Sequence, residues 1–273
     1  MTQPAETVGV VSEIVVYPIK SAKGISLDTA QVERCGCRFD RQWMLVDSEG
    51  VFLSQRQLPR MALISPRLTE DELIVDAPGM ERLVLPLVSD EQPLKNVSIW
   101  GDICRATPVG SSADKWFSTF LKTPCTLVRF PESTRRPVDP TYAKPDDQVG
   151  FADGFPFLLL SQASLTDLNT RVDQALPMTR FRPNLVVSGC SPYAEDTWKE
   201  ISIGDVGFRV VKPCARCSIT TVDQVTGTAG KEPLRTLAGY RRVGKKVMFG
   251  QNLIHDGRGL VRTGDVVRVT AYW

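Results

Sequence analysis

Histidine is nearly missing from this chain: His255 is the only one, against seven cysteines. A hydrolytic Ser/His/Asp set would have to be built around it, and nothing nearby spells one out, so on residue type it reads as a packed or surface histidine. A tetrahedral zinc site would need ligands from scattered cysteines such as Cys35, Cys37, Cys104, Cys125 or Cys190, because the chain holds a single CxxC, Cys214-Ala215-Arg216-Cys217. Net charge is lacking too: 33 basic against 31 acidic residues leave +2, which argues against duplex nucleic acid or a membrane surface as a general partner. The longest apolar run, Phe155 to Leu160, is far short of the roughly 20 residues that span a bilayer. Met1 to Val8 is polar, without a hydrophobic signal core. Gly227-Thr228-Ala229-Gly230 lacks the spacing and the Lys-Ser/Thr end of a P-loop, and there is neither a dinucleotide fingerprint nor a four-cysteine iron–sulfur pattern. Seven cysteines in a chain too long to need staples read as reduced thiols in a cytosolic compartment. The acid pairs Asp146-Asp147 and Glu195-Asp196 stand in turn-like stretches, as solvated caps would, not as glycosidase carboxylates.

What is present is an ordinary globular composition with frequent glycine and proline punctuation, long enough for one large core or two domains. Most segments between punctuators alternate with period two, which predicts an α+β, β-rich fold. Strands are expected at Val8 to Ile19, Glu72 to Val75, Arg82 to Leu87, Val97 to Trp100, Thr126 to Phe130, Leu185 to Ser188, Glu200 to Ile203, Gly207 to Val211 and Val266 to Ala271. Gln42 to Ser54 reads as a hairpin turning at Ser48-Glu49-Gly50. Helical spacing marks Ser112 to Leu121, Ser161 to Leu176, and Glu232 to Arg242 with Pro233 in its first turn. The proline-rich, charged stretch Pro131 to Asp147 has neither period and reads as the interdomain loop, with Arg135-Arg136 a basic surface for an acidic redox partner.

The chemistry concentrates at Lys212 to Asp223, where the CxxC stands at the mouth of a β-branched run. Ser218 to Val222 reads as strand, which argues against a thioredoxin-like pair opening a helix. A free cysteine is by type a small buried hydrophobe; Arg216 and Lys212 are what mark Cys217, since positive charge stabilises a thiolate. Cys214 is either a resolving thiol or packing. Cys35 and Cys37 are read as alternate residues of one expected strand. Lys20, Arg41 and Arg182 stand beside strand ends, where loops converge and a phosphate could be gripped; singly, each reads as an ordinary ion pair.

Taken in order, Val15-Val16-Tyr17-Pro18-Ile19-Lys20-Ser21-Ala22-Lys23-Gly24, Phe39-Asp40-Arg41, Phe151-Ala152-Asp153-Gly154-Phe155-Pro156, Phe181-Arg182-Pro183-Asn184, Ile203-Gly204-Asp205, Lys212 to Asp223 and Phe249-Gly250-Gln251-Asn252-Leu253 resemble the MOSC superfamily of molybdenum-cofactor proteins. The branch is that of the amidoxime-reducing component and the bacterial reductases of N-hydroxylated bases. The resemblance implies a MOSC β-barrel preceded by an N-terminal β-rich region, with domains at 1–130 and 131–273, the first strand completing the later barrel. It implies Cys217 as the thiolate ligand of molybdenum in the molybdenum cofactor (Mo-molybdopterin), with no pyridoxal phosphate. Lys20, Ser21, Arg41, Arg182 and Asn184 are implied as pterin and phosphate contacts, and Ala215, Arg216 and Asn252 as lining. Asp153 matches an acidic position near the metal, where it would orient substrate or a metal-bound water.

The implied activity is reduction of N-hydroxylated compounds: amidoximes, hydroxylamines and N-hydroxylated nucleobases, whose reduction would be a detoxification. Bacterial relatives often carry a C-terminal [2Fe–2S] domain. This sequence stops at Thr270-Ala271-Tyr272-Trp273, so no iron–sulfur cluster is expected in it. Either a separate ferredoxin-, flavoprotein- or cytochrome-type donor supplies electrons, or the sequence is a shortened form. With no targeting or membrane segment read, the location expected is cytoplasmic. The competing reading is a carrier of molybdenum cofactor or persulfide sulfur on Cys217, without reductase turnover; Lys20, Arg41 and Arg182 speak against it, because a bare persulfide carrier needs no phosphate grip.

Overall fold

The computed structural model describes residues 5–88 and 93–273; Met1 to Pro4, part of the polar stretch read above, lie outside the described residues. Seven strands of a nine-stranded sheet make the barrel: β1 (Glu6–Val16), β2 (Phe157–Ser161), β3 (Leu185–Ser188), β4 (Trp198–Ile203), β5 (Val206–Ala215), β6 (Lys246–His255) and β7 (Val266–Tyr272). Their spatial order is β2-β3-β1-β7-β4-β5-β6, and β6 returns to pair with β2, closing a barrel. Closure pairs every main-chain edge around the barrel. Among the described strands of the barrel only β2 and β3 run parallel.

Period-two patterning supplies the interior. Ile201 and Ile203, Val206, Phe208 and Val210, and Val267 and Val269 enter one core with Val11, Ile14, Trp198 and Phe157, while Glu200 and Arg268 between them face out. β1 lies in the barrel between β3 and β7.

The N-terminal region builds a second core. A four-stranded sheet, ordered Trp43–Val46, Thr126–Arg129, Asp102–Pro108, Lys95–Ile99, is adjoined by helix α1 (Ser111–Leu121). Trp116, Phe117, Phe120 and Leu121 of α1 pack on Trp43, Leu45, Met61 and Leu127, the one-sided stripe its spacing predicts. The expected hairpin forms, with Gly50 at φ 79 and the Leu53 N–H donating to the Leu45 carbonyl at 2.8 Å.

Four expectations need correcting. Helix α2 runs Gln162–Asn169 and stops seven residues before Leu176. The Asn169 side chain bonds both the N–H and the carbonyl of Leu176 at 2.9 and 3.0 Å. The chain therefore folds back, and Leu176 joins Leu165 and Leu168 in one cluster without continuing the helix. Ser218 to Val222 is not strand: Ser218–Thr221 is a 3₁₀ turn, and the Thr220 and Thr221 hydroxyls donate back to the carbonyls of Cys217 and Ser218. Cys35 sits in the turn between Thr29–Glu33 and Gly36–Cys37, so it does not alternate with Cys37 on a strand. Pro233 is the N-cap of helix α3 (Leu234–Tyr240) and does not lie inside its first turn.

Pro131 to Asp147 carries no helix or strand, but it is packed. Thr134, Arg136 and Val138 are buried, and Asp147 pairs with Arg209 of β5 at 2.7 Å. Among the described residues no helix is long and apolar enough to cross a membrane.

Candidate active site

The ends of the barrel strands converge on one cleft. β1 runs out into Tyr17 to Ser21, β5 into Cys214 to Cys217, and Asn184 immediately precedes β3. Asn252 on β6 pairs with Lys212 on β5. The cleft holds about 760 Å³ of non-protein space, solvent at its mouth included, and Lys20, Ser21, Arg41, Asp153, Arg182, Asn184, Ala215, Arg216, Cys217 and Asn252 all line it. Every residue nominated from the sequence is thus brought to a single place. His255 is not among them: it lies on β6 with its Nδ1 buried and unpartnered.

Three of the lining residues, Ser21, Arg41 and Arg182, take left-handed backbone at φ 68, 45 and 57. Non-glycine residues adopt this region at a cost, and such strain collects at ligand sites. The guanidiniums of Arg41 and Arg182 both pack on the Tyr17 ring, at 4.3 and 4.2 Å from its centroid. Arg41 donates to Asp40 at 2.6 Å and to the Asn184 side-chain oxygen at 3.0 Å. Burial disfavours its charge, but Asp40, Tyr17 and Asp153 together outweigh this, and its pKa rises. Asn184 spends its other bonds inside the protein, donating to the Val15 carbonyl and accepting from the Leu158 N–H. It positions Arg41 at least as much as it faces the cleft.

Among the described residues Arg182 has no acidic partner. Nη1 donates to the Ala22 carbonyl at 2.6 Å, Nη2 is buried with no partner, and burial pushes the pKa down to about 10. Arg216 resembles it: Nη2 donates to the Phe181 carbonyl and Nη1 to the Cys214 sulfur, while Nε is buried and unpartnered. Buried cationic N–H groups left unsatisfied are costly, and an anionic ligand removes the cost.

At the other side stands Asp153. Its side chain remains more than half exposed at the mouth of the cleft; the surrounding protein partly desolvates it, which would raise its carboxyl, but Lys20 and then Arg56 outweigh this and hold it below the usual carboxylate range. It therefore stays ionised at neutral pH. Lys20, buried, donates to Asp153 and to the Phe151 carbonyl; desolvation lowers its pKa.

Sequence reasoning missed one arginine of the site and misplaced another. Arg56 links the nominated catalytic pair, with Nη2 3.2 Å from Asp153 Oδ2 and 3.3 Å from Cys217 Sγ. It sits in Ser54-Gln55-Arg56, which carries no motif; only the buried polar run Ser54-Gln55 beside it hints at a site. Arg136, expected to face a partner, is instead buried. It donates to the carbonyls of Gly150, Ala152 and Asp153 and pairs with Asp102 at 2.9 Å, which fixes the Asp153 loop. That removes Arg136 from the docking surface; only Arg135 of the pair is exposed.

Two family models match the chain, the MOSC N-terminal beta barrel domain over residues 8–124 and the MOSC domain over 146–268. Among curated relatives, mitochondrial amidoxime-reducing component 1 of Mus musculus is 40% identical over 96% of this chain and 82% of its own length. The Homo sapiens counterpart is 38% identical over 96% and 83%, and component 2 of Bos taurus 41% identical over 86% and 73%. The chain belongs to the MOSC-domain family of amidoxime-reducing components. The names of these family members overturn the cytoplasmic expectation, since each is called mitochondrial. A polar Met1 to Val8 was too slight a basis for a location. In this family setting the cleft lies at the end of the closed barrel, with β1 of the N-terminal domain's span carrying the chain into Lys20 and Ser21.

Proposed function

We propose that this chain is a molybdenum-cofactor-dependent reductase of N-hydroxylated compounds, taking electrons from a separate redox protein. The observation that carries the reading is the cleft itself: a thiol, a carboxylate paired with two cations, and two guanidiniums with buried unpartnered N–H groups face one space. The residues fit the cofactor. Cys217 offers the soft sulfur that such a metal takes. Arg182 and Arg216 have the unspent donors that a phosphate or a pterin oxygen accepts, and Lys20, Ser21, Arg41 and Asn184 complete that wall, with Ala215 and Asn252 lining it. A persulfide carrier would leave this cationic wall without an occupant.

When bound, the cofactor supplies a two-electron centre able to take the oxygen of an N–O bond. The balance for an amidoxime is two electrons and two protons in, amidine and water out. The protein's own part is binding and orientation. Asp153, ionised, accepts from a substrate N–H and so turns the N–OH toward Cys217; Lys20 and Arg56 hold its charge in place. Arg136 holds the loop that carries it.

Protein from a cofactor-competent host should contain molybdenum and pterin and reduce benzamidoxime with a chemical reductant. Cys217→Ser should abolish this while the fold persists, because a hydroxyl poorly replaces a soft thiolate; Cys214→Ser should be milder. Full turnover by Cys217→Ser, or a wild-type protein free of molybdenum, would refute the reading.

A further inference from the structure

Arg56 has no part in the cofactor-holding wall, yet it occupies the gap between the two residues nominated for chemistry. We propose that Arg56, stacked on Trp100, grips the N–O oxygen of the substrate, and that this pair with Asp153 selects neutral N-hydroxylated compounds over the cationic bases they become. The inference rests on the reductase reading above.

The guanidinium is preorganised. Its Cζ lies 4.5 Å from the Trp100 ring centroid and Nη1 is 3.3 Å from the Ser54 hydroxyl. Next door, Gln55 is wholly buried, donating to the Ser21 carbonyl at 2.7 Å and exchanging bonds with Gln224. Little freedom is left for the arginine to lose when a ligand arrives. Its bond to Asp153 is charge-assisted, whereas its contact to the Cys217 sulfur at 3.3 Å uses a weak acceptor. An incoming N–O oxygen is a better acceptor and takes that N–H.

Trp100 is 56% exposed, in left-handed backbone at φ 53 and followed by Gly101 at φ 94. A strained turn thus holds a large apolar ring in water at the site. Phe52 supports it from 5.1 Å, and Lys20 lies over Phe52. The indole offers a flat face to a planar amidoxime or aromatic ring. Charge then sets the class: Lys20 and Arg56 both pair with Asp153, two cations on one carboxylate. A neutral amidoxime meets no penalty, while its protonated amidine product faces the surplus positive charge and is released.

The test uses the loaded protein, Arg56→Gln, Arg56→Lys and Trp100→Phe, with benzamidoxime as substrate and benzamidine as product. Molybdenum and pterin per chain should be unchanged in all three. KM for benzamidoxime should rise about tenfold in Arg56→Gln, the weight of a charged hydrogen bond, with partial recovery in Arg56→Lys. Benzamidine should inhibit Arg56→Gln at lower concentration than wild type, because Asp153 is left with one cation; a merely structural arginine would not produce that reversal. Tryptophan fluorescence read without reductant should respond to benzamidoxime in wild type, weakly in Arg56→Gln and not in Trp100→Phe. Unchanged KM and benzamidine inhibition in Arg56→Gln would overturn the proposal, as would loss of cofactor in step with loss of activity. A wild-type protein without molybdenum or turnover would remove the reductase reading, and the fluorescence titration would still decide Arg56: an equal response in Arg56→Gln overturns its role.

Discussion

Replacing Arg182 by Met should separate what the residue does for the fold from what it does for the ligand. In the ligand-free protein the change removes one charged hydrogen bond, to the Ala22 carbonyl at 2.6 Å, worth about 1.5–3 kcal/mol. It also removes a buried unpartnered Nη2, whose desolvation costs about 1–3 kcal/mol. Packing on Tyr17 is kept by the thioether chain. These opposing effects nearly cancel, so the melting temperature of protein made in a host without the cofactor should move by no more than about 4 °C, at roughly 2–4 °C per kcal/mol for a chain of this order. The same change in a cofactor-competent host removes an anion contact worth about 1.5–3 kcal/mol, and bound molybdenum and pterin should fall ten-fold or more, at about 1.4 kcal/mol per factor of ten. Differential scanning calorimetry and elemental analysis read the two quantities. A fall in melting temperature beyond about 8 °C without cofactor, or unchanged molybdenum content, would show the guanidinium to be structural.

Arg136→Met should loosen the Asp153 loop: amide exchange at 150–153 should quicken and kcat fall several-fold with cofactor content retained, Arg136→Lys lying between; unchanged exchange sinks the positioning role. Burial lowers the pKa of His255, so the folded state binds less proton than the unfolded chain just below pH 6.5. Stability should therefore be full above that pH and drop as pH falls through it, and the single imidazole resonance in a proton NMR titration should show a midpoint below 6.5; a midpoint above it contradicts the burial. A methyl at Gly250 would come 2.5 Å from a Leu160 methyl and 2.9 Å from the Leu159 carbonyl, at φ 83. Gly250→Ala should destabilise by about 2–4 kcal/mol from overpacking and left-handed strain; a loss under about 0.5 kcal/mol in urea unfolding would mean β2 and β6 are less tightly joined.

Strands of the barrel were legible because their two faces differ: Leu185–Ser188 and Trp198–Ile203 alternate or run apolar between glycine turns. What was illegible involves side chains that bond their own backbone. Asn169 ends α2 by gripping Leu176, and two threonines wind Ser218–Thr221 into a turn, although β-branched composition reads as strand. At the site, residues within motifs were nominated and converge, but Arg56 and Arg136 act through partners about a hundred and about fifteen positions away. No local pattern encodes such distances. Arg135-Arg136 shows the limit most plainly, since adjacent identical residues have opposite fates, one exposed and one buried.

The place of β1 between β3 and β7 bears on how the protein is made. A chain leaving the ribosome delivers Glu6–Val16 first and Val266–Tyr272 last, so one flank of β1 stays unpaired until synthesis of this segment is nearly over. The helix and sheet of the N-terminal region can assemble earlier, because the sheet's strand pairings lie within residues 43–129. Lys20 follows β1 and is tied to Trp43 of the N-terminal sheet, whereas Cys217 follows β5 and Asn252 lies on β6, so the two walls of the cleft meet only after those later strands are made. Loading of a ligand at this cleft is therefore expected late in biogenesis, and a nascent chain stalled before residue 246 should hold none.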